Sequence, residues 1–391
     1  MERRLLDAAL ARALDLAEHG PLAGGNPRVG CVILDTAGGP LAEGWHRGAG
    51  TAHAEAAALA AVPAASRHRL TGAVAVVTLE PCRHTGHTPP CAAALDEAGV
   101  AAVIYAVADP HPVAAGGAAW LAAHGVTTLD AARAGLDPAL VDRAHELLHP
   151  WTTAVRRGRP WLIGKTATSL DGRVAAADGT SRWITGPDAR AHAHVVRAGV
   201  DAIVVGTGTV LADDPALTAR GPDGRPAPHQ PVRVVIGHRD VPDTARVRSG
   251  PGEWLHLRTH DLGAVLAELD RRGLRRVLLE GGPALLSAAL RRGLVDELHA
   301  YVAPVLLGAG PGAVGDLGIT TIADAARWRT RRTEQLGPDL LLVATAARPT
   351  TPGDPTTNRR ATAPADPTTS RRATARARTA TSPHPTTQGA A

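Results

Sequence analysis

Two short stretches constrain this chain more than anything else in it: His53-Ala54-Glu55, and TLEPCRHTGHTPPC from Thr78 to Cys91. One imidazole and two thiols, with a non-ligating carboxylate two residues past the His, form the ligand set of a zinc site that activates water. His53, Cys82 and Cys91 are the expected ligands, for one zinc per chain. They leave a fourth position open, where a water loses a proton near neutral pH. Glu55 is the expected proton carrier. Two residues from His53 on a helix, it stays near the metal without pointing along the ligand direction. Pro81 and Pro90 precede the two thiols and predict turns into helix starts, where the positive helix end favours thiolate.

The bland alternative is an H-x-E on a solvated helix face and two buried apolar cysteines. The economy of the chain weighs against it. There are three Cys in 391 residues, and two of them flank a loop rich in Pro and His. The third, Cys31, sits in the apolar run Val29 to Leu34 and reads as a small buried strand residue. An odd count with metal-like spacing excludes a disulfide framework and points to a reducing compartment.

The eight-residue gap between the thiols is longer than the P-C-x-x-C of nucleobase deaminases. With GNPRVGCVIL from Gly25, GWHRGAGTAHAE from Gly44, TLEPC, TPPC and ADPHP from Ala108, the first half resembles the deaminase part of the bifunctional riboflavin-biosynthesis deaminase/reductase family. That resemblance implies zinc on His53, Cys82 and Cys91, catalysis by Glu55, and a substrate pocket including Asn26, His46, His84, Asp109 and His111.

The second half carries KTATSLDGRVA from Lys165, SRWITG from Ser181, TVLADDPALTAR from Thr209, QPVRVVI from Gln230, LEGGPAL from Leu279 and LVDEL from Leu294. Its Gly206-Thr-Gly208-Thr209 and Glu280-Gly281-Gly282-Pro283 turns suit close approach of backbone to phosphate. On their own they are ordinary tight turns, and neither is a G-x-G-x-x-G fingerprint. Together these motifs resemble the reductase half of the same family, similar in fold to dihydrofolate reductase and dependent on NADPH. The resemblance puts Ala167, Trp183, Thr209, Asp213 and Gly282 at the cofactor and Ser181, Arg197, Ala216, Arg220 and Glu280 at the substrate. Lys165, Asp213 and Glu280 are its expected catalytic groups. Arg is well shaped for two-point contact with a phosphate monoester, which the family substrate carries.

Three departures from the family pattern stand out. His87 occupies a place where Lys or Arg is usual. His111 replaces an Asn in D-P-N-P, with one residue missing before Val113. In the reductase half Gly237 replaces an Asp, and the segment from His238 to Asp261 is short.

Periodicity predicts an α/β chain of two layered units: a cytidine-deaminase-like three-layer domain over 1–150 and a dihydrofolate-reductase-like domain over 151–348. Strands are expected near 28–35, 41–46, 73–79, 102–108 and 126–129, and helices near 2–19, 53–62, 91–98, 115–124 and 138–148. The division falls where VRRGRP interrupts the apolar pattern. Beyond it, strands are expected near 161–167, 201–205, 232–237, 276–280, 296–303 and 340–345, with helices near 187–198, 262–272 and 282–292.

From Pro349 the composition collapses to Pro, Thr, Ala and Arg, and DPTTNRRATA recurs twelve residues on as DPTTSRRATA. Residues 349–391 therefore read as a disordered tail. The net charge of +5 includes +4 from this tail, leaving +1 for residues 1–348. A nearly neutral body with no Phe and two Tyr argues against a nucleic-acid partner. Acidic residues in the first helix exclude an export signal, and no apolar run spans a bilayer. The expected setting is cytoplasmic. The expected partners are a phosphoribosylated pyrimidine and further copies of the same chain.

Overall fold

The computed structural model describes residues 1–84 and 89–347. His87 and the tail after Pro349 lie outside the described residues. The first half begins with α1 (Arg3–Glu18), β1 (Gly30–Leu34), β2 (Pro40–Trp45) and α2 (Ala54–Ala61). It continues through β3 (Val74–Leu79), α3 (Cys91–Glu97), β4 (Ala102–Val107), α4 (Gly117–Ala123), β5 (Thr127–Asp130) and α5 (Pro138–Arg157). Its five strands form one sheet in the order β2-β1-β3-β4-β5. Pairing is antiparallel from β2 to β3 and parallel from β3 to β5. All five residues of β1 are buried, as an unbroken apolar run requires of an interior strand. The stripe Leu10, Ala13, Leu14 and Ala17 fixes α1 against β1 and β3, while α2 packs on β1 and β2.

The second half comprises β6 (Trp161–Ser169), α6 (Pro187–Ala198), β7 (Ala202–Gly206), α7 (Thr207–Asp213), β8 (Val232–Ile236), β9 (Trp254–Leu257) and α8 (Leu262–Arg271). Then follow β10 (Arg276–Leu279), α9 (Pro283–Arg291), β11 (Glu297–Ala303), β12 (Trp328–Leu336) and β13 (Asp339–Ala346). The sheet order is β12-β13-β11-β6-β10-β7-β8-β9, parallel from β11 to β9 with an antiparallel β13 and β12 at one edge. Alternate residues of the parallel strands feed two separate cores. Leu162, Ala202, Val204, Val234, Val277 and Leu279 enter one, and Trp161, Ile163, Ile203, Val205, Val235 and Leu278 the other. Both sheet faces are thus covered, as parallel strands demand.

Four elements differ from the sequence expectation. α5 does not stop at Leu148 but runs through Pro150 to Arg157, so the 150/151 division falls within a helix. Thr152, Thr153 and Ala154 are buried on its extension, and Gly158 in the left-handed region ends it. Arg159 then clamps Asp296 with two hydrogen bonds of 2.7 and 2.9 Å, and Asp296 also accepts from the Leu162 amide. The Gly-rich turn after β7 is the first turn of α7, and β9 and β12 have no counterpart in the sequence reading. β9 is four residues long, and β12 is an edge strand whose Arg, Thr and Glu side chains face solvent, so neither carries apolar alternation.

Candidate active sites

The first site lies where β3 and two helix starts converge. His53 is the N-cap of α2, Glu55 is in its first turn, and Cys91 opens α3 after Pro90. Cys82 departs from expectation: it follows β3 in a segment outside helix and strand instead of starting a helix, and its carbonyl accepts from the Ala92 amide. Nδ1 of His53 stands 3.4 Å from both Sγ atoms. The three potential ligand atoms lie within 4.8 Å of one another. Cys31, buried in β1, is outside this group.

The electrostatics match a proton-transfer site. Burial raises the Glu55 carboxyl to about 7, where it can both take and give a proton near neutrality. The two sulfurs act as a unit. A hydrogen bond from Cys91, helped by His53, holds Cys82 down to about 4, while Cys91, donor of that bond and buried, is pushed up. An imidazole and two sulfurs, one already inclined to thiolate, fit zinc.

A cavity of about 470 Å3 opens onto this group and holds the expected pocket residues Asn26, His46, His84, Asp109 and His111. His46 donates from Nδ1 to the Ala52 carbonyl and accepts at Nε2 from the Asn26 amide, 3.1 Å in each case. Burial lowers its pKa, in keeping with this neutral tautomer. Asp109 accepts from the His111 amide at 2.8 Å, and burial raises its carboxyl. Nδ1 of His84 is buried without a partner among the described residues.

Glu80, within the TLEPC motif, holds a loop that lines the cavity. Its carboxylate accepts from the amides of Asp109, Gly116 and Ala118 at 3.0 to 3.2 Å, fixing the Asp109 loop and the first turn of α4 to the end of β3. Trp151, Val155, Arg272, Gly273 and Arg275 also line the cavity and were missed outright. They reach it from α5 and from the turn between α8 and β10, so no local motif could reveal them.

In the second half Lys165 lies on β6 with Nζ 5.6 Å from the Tyr301 ring centre. Burial lowers its pKa, opposed by Glu280. Glu280 follows β10. Burial alone would raise its carboxyl, but Arg197 reverses this and holds it at about 2. Arg197 binds both Glu280 oxygens, at 2.9 and 2.6 Å, and also the Thr218 carbonyl. Arg197, one of the two Arg expected to face substrate, is thus ion-paired with Glu280, which is also expected there. Thr209 on α7 and the Gly282 turn before α9 approach each other at the carboxyl ends of β7 and β10. Ala167 pairs with Tyr301 across β6 and β11. Trp183 is 70% exposed under the Arg190 guanidinium, and the Asp213 carbonyl accepts from Arg182. Ser181 is half-buried in the loop before Trp183. Ala216 and Arg220 line a second cavity of about 250 Å3 together with Arg246. At Gly237 the φ of +125° and the nearness of Thr207 Oγ1 leave no room for the side chain expected there.

A zinc-type deaminase site on the first sheet and a half-buried Lys–Glu–Arg group on the second define an enzyme with two separate centres. Residues 4–107 match the cytidine and deoxycytidylate deaminase zinc-binding region, and residues 160–342 match the RibD C-terminal domain. The chain is 48% identical over 320 residues to the riboflavin biosynthesis protein RibD of Mycobacterium tuberculosis (strain CDC 1551 / Oshkosh), covering 82% of this chain and 91% of that protein. It is 36% identical to RibD of Escherichia coli (strain K12), over 85% and 97%. RibD of Acinetobacter baumannii superposes with a TM-score of 0.77 at 34% identity, covering 89% of this chain and 100% of that one. The diaminohydroxyphosphoribosylaminopyrimidine deaminase/5-amino-6-(5-phosphoribosylamino)uracil reductase of Thermotoga maritima gives 0.73 at 29%, over 88% and 99%. The chain belongs to the RibD family and is a bifunctional deaminase/reductase of riboflavin biosynthesis, with a cytidine-deaminase-like first domain and a reductase second domain. No helix among the described residues is long and apolar enough to cross a membrane.

Proposed function

We propose that the first domain, residues 1–150, hydrolytically deaminates 2,5-diamino-6-(5-phosphoribosylamino)pyrimidin-4-one. The second, residues 151–348, then reduces the ribosyl chain with NADPH to give 5-amino-6-(5-phosphoribitylamino)uracil. The observation that carries the first step is Glu55, buried and poised near 7 in the same cavity as His53 and Cys82. His53, Cys82 and Cys91 would hold zinc, which would supply the Lewis acidity to make a bound water nucleophilic near neutral pH. Glu55 accepts the water proton through its carboxylate and returns it to the departing amine, so that ammonia leaves. Asn26, held by His46, is a polar contact for the pyrimidine, with Asp109 and His84 on other walls of the cavity.

In the second domain Ala167, Trp183, Thr209, Asp213 and the Gly282 turn are the residues that would hold NADPH, the source of hydride when bound. Lys165 stands by the reacting ribose carbon, and Glu280 favours its charged form against burial. Arg220 and Arg246, on the cavity that includes Ala216, are the cations available to the substrate phosphate, since Arg197 is held by Glu280. The alternative, a second domain that binds ligand without reducing it, is not favoured. The test is incubation of the diaminopyrimidinone phosphate with and without NADPH and identification of products by mass. Ammonia and the deaminated ribosyl compound are expected without NADPH, and the ribityl compound with it. Unchanged substrate in both would overturn the reading.

A further inference from the structure

Part of the lining of the deaminase cavity comes from the other half of the molecule. Gly24, Gly25 and Asn26 from the first domain line the cavity side by side with Arg272, Gly273 and Arg275 from the second. One carboxylate joins them. Asp201, only 4% exposed and immediately ahead of β7, accepts from the Gly24 amide at one oxygen. At its other oxygen it accepts from the Arg275 and Arg276 amides at 2.7 and 2.9 Å. A second bond holds the same loop from the far side, from Trp151 Nε1 to the Gly25 carbonyl at 3.1 Å. Gly25 has φ of +74°, and a Cβ there would come 2.4 Å from the Gly273 carbonyl oxygen, so the loop is pressed onto the second domain. The next residue, Asn26, carries its amide into the cavity and bonds His46.

We propose that Asp201, a residue of the reductase half, is a positioning residue for the deaminase site. It holds the Gly24-Gly25-Asn26 loop so that the Asn26 amide faces the pyrimidine. A buried carboxylate taking three amide donors is a rigid anchor, because each bond is charge-assisted and freeing any donor leaves it unpaired. This rests on the deaminase reading above, and it makes that site a composite of both domains. Asp201 touches neither the zinc ligands nor Glu55, so its effect falls on substrate binding and spares the proton-transfer step.

The test uses the full-length, zinc-loaded protein, with ammonia release from the diaminopyrimidinone phosphate as the deaminase readout. Asp201→Asn cannot accept at both side-chain atoms and should release one side of the seam. The KM should rise roughly tenfold, with kcat within about twofold and zinc content unchanged. Reduction of the deaminated intermediate should stay near normal. Trp151→Phe, which keeps an aromatic ring but removes the second bond, should raise KM about threefold and carries the test if Asp201→Asn does not fold. Because both bonds hold one loop, the double variant should fall short of the product of the two effects. An unchanged KM in folded variants, a loss confined to kcat and zinc content, or fully multiplicative effects would each overturn the seam. Wild-type protein that releases no ammonia would instead overturn the deaminase reading itself.

Discussion

Glu55 and Glu280 show how the same side chain is tuned in opposite directions. Glu55 has no salt-bridge partner among the described residues, and burial lifts it to about 7; Glu280 is also largely enclosed, but Arg197 holds it at about 2. The first is a proton carrier, and Glu55→Gln should retain about one zinc per chain while deamination falls at least a hundredfold. Zinc analysis and ammonia release check it, and loss of the metal in that variant would contradict the assignment. Cys31→Ser should leave metal content unchanged. Glu280 is matched in the second domain by Glu297, whose burial penalty is overcome by His299 and Arg276 to give about 2. A carboxyl depressed on folding contributes stability that is complete above its unfolded value near 4.5 and is lost as pH falls through that value toward 2. Each is worth roughly 3 kcal/mol by linkage. The thermal midpoint should therefore drop steeply below about pH 4.5, and Glu297→Gln should flatten part of that slope. An identical acid profile in the variant would rule out Glu297 as a source. At this scale the sequence was informative where spacing encodes chemistry, as for His53, Glu55, Cys82 and Cys91. It was silent on Glu80 and on the capture of Arg197 by Glu280, because these bonds join residues whose spacing follows no ligand rule.

Elements were legible in proportion to the apolar periodicity that burial imposes. β1, β7 and the stripe of α1 declare themselves, whereas β12 exposes most of its side chains and β9 has four residues at the opposite edge. Pro150 masked the length of α5, since the missing amide is outweighed by buried Thr152, Thr153 and Ala154 on the continuing turns. The short segment from His238 to Asp261 still supplies β9, which pairs in parallel with β8, so the sheet edge survives the shortening. On the proposed assignment, the shortening falls at the outer end of the cofactor and Ala167, Thr209 and Gly282 at its inner end. Contacts that act at the hydride should persist and uniform binding of the remote half of the cofactor should weaken. The expected outcome is a working reductase with a raised KM for NADPH and little preference over NADH. Steady-state kinetics with both cofactors decide it, and tight, NADPH-selective turnover would show that groups such as Arg239, beside Gly208, rebuild the phosphate site.

For the whole molecule, the deaminase cavity is lined by residues of both halves, while none of the residues named for the second centre lines it. No motif announced that lining: Asp201 and Gly273 are ordinary residues in sequence, and only the packing of α5 and the α8–β10 turn against the Gly24-Gly25 loop gives them meaning. Two kinds of substitution should therefore behave differently. A change inside one centre should silence that centre alone, whereas a change at the seam should act across the domains. Glu280→Gln is the sharper case. It removes the charge opposite Arg197 and Lys165, and the half-buried Arg197 loses its ion partner, so folding must be verified first. Glu280 is not among the residues lining the deaminase cavity. In folded protein, reduction of the deaminated intermediate should fall at least a hundredfold, because Lys165 loses the carboxylate that favours its charge and Arg197 is freed to move. Ammonia release from the first substrate should stay within about twofold of the wild type, since a neutral Gln at the end of β10 leaves Asp201 and its three amide bonds intact. Parallel assays of the two steps on one preparation check this, and equal loss of both activities in a folded variant would refute two independent centres.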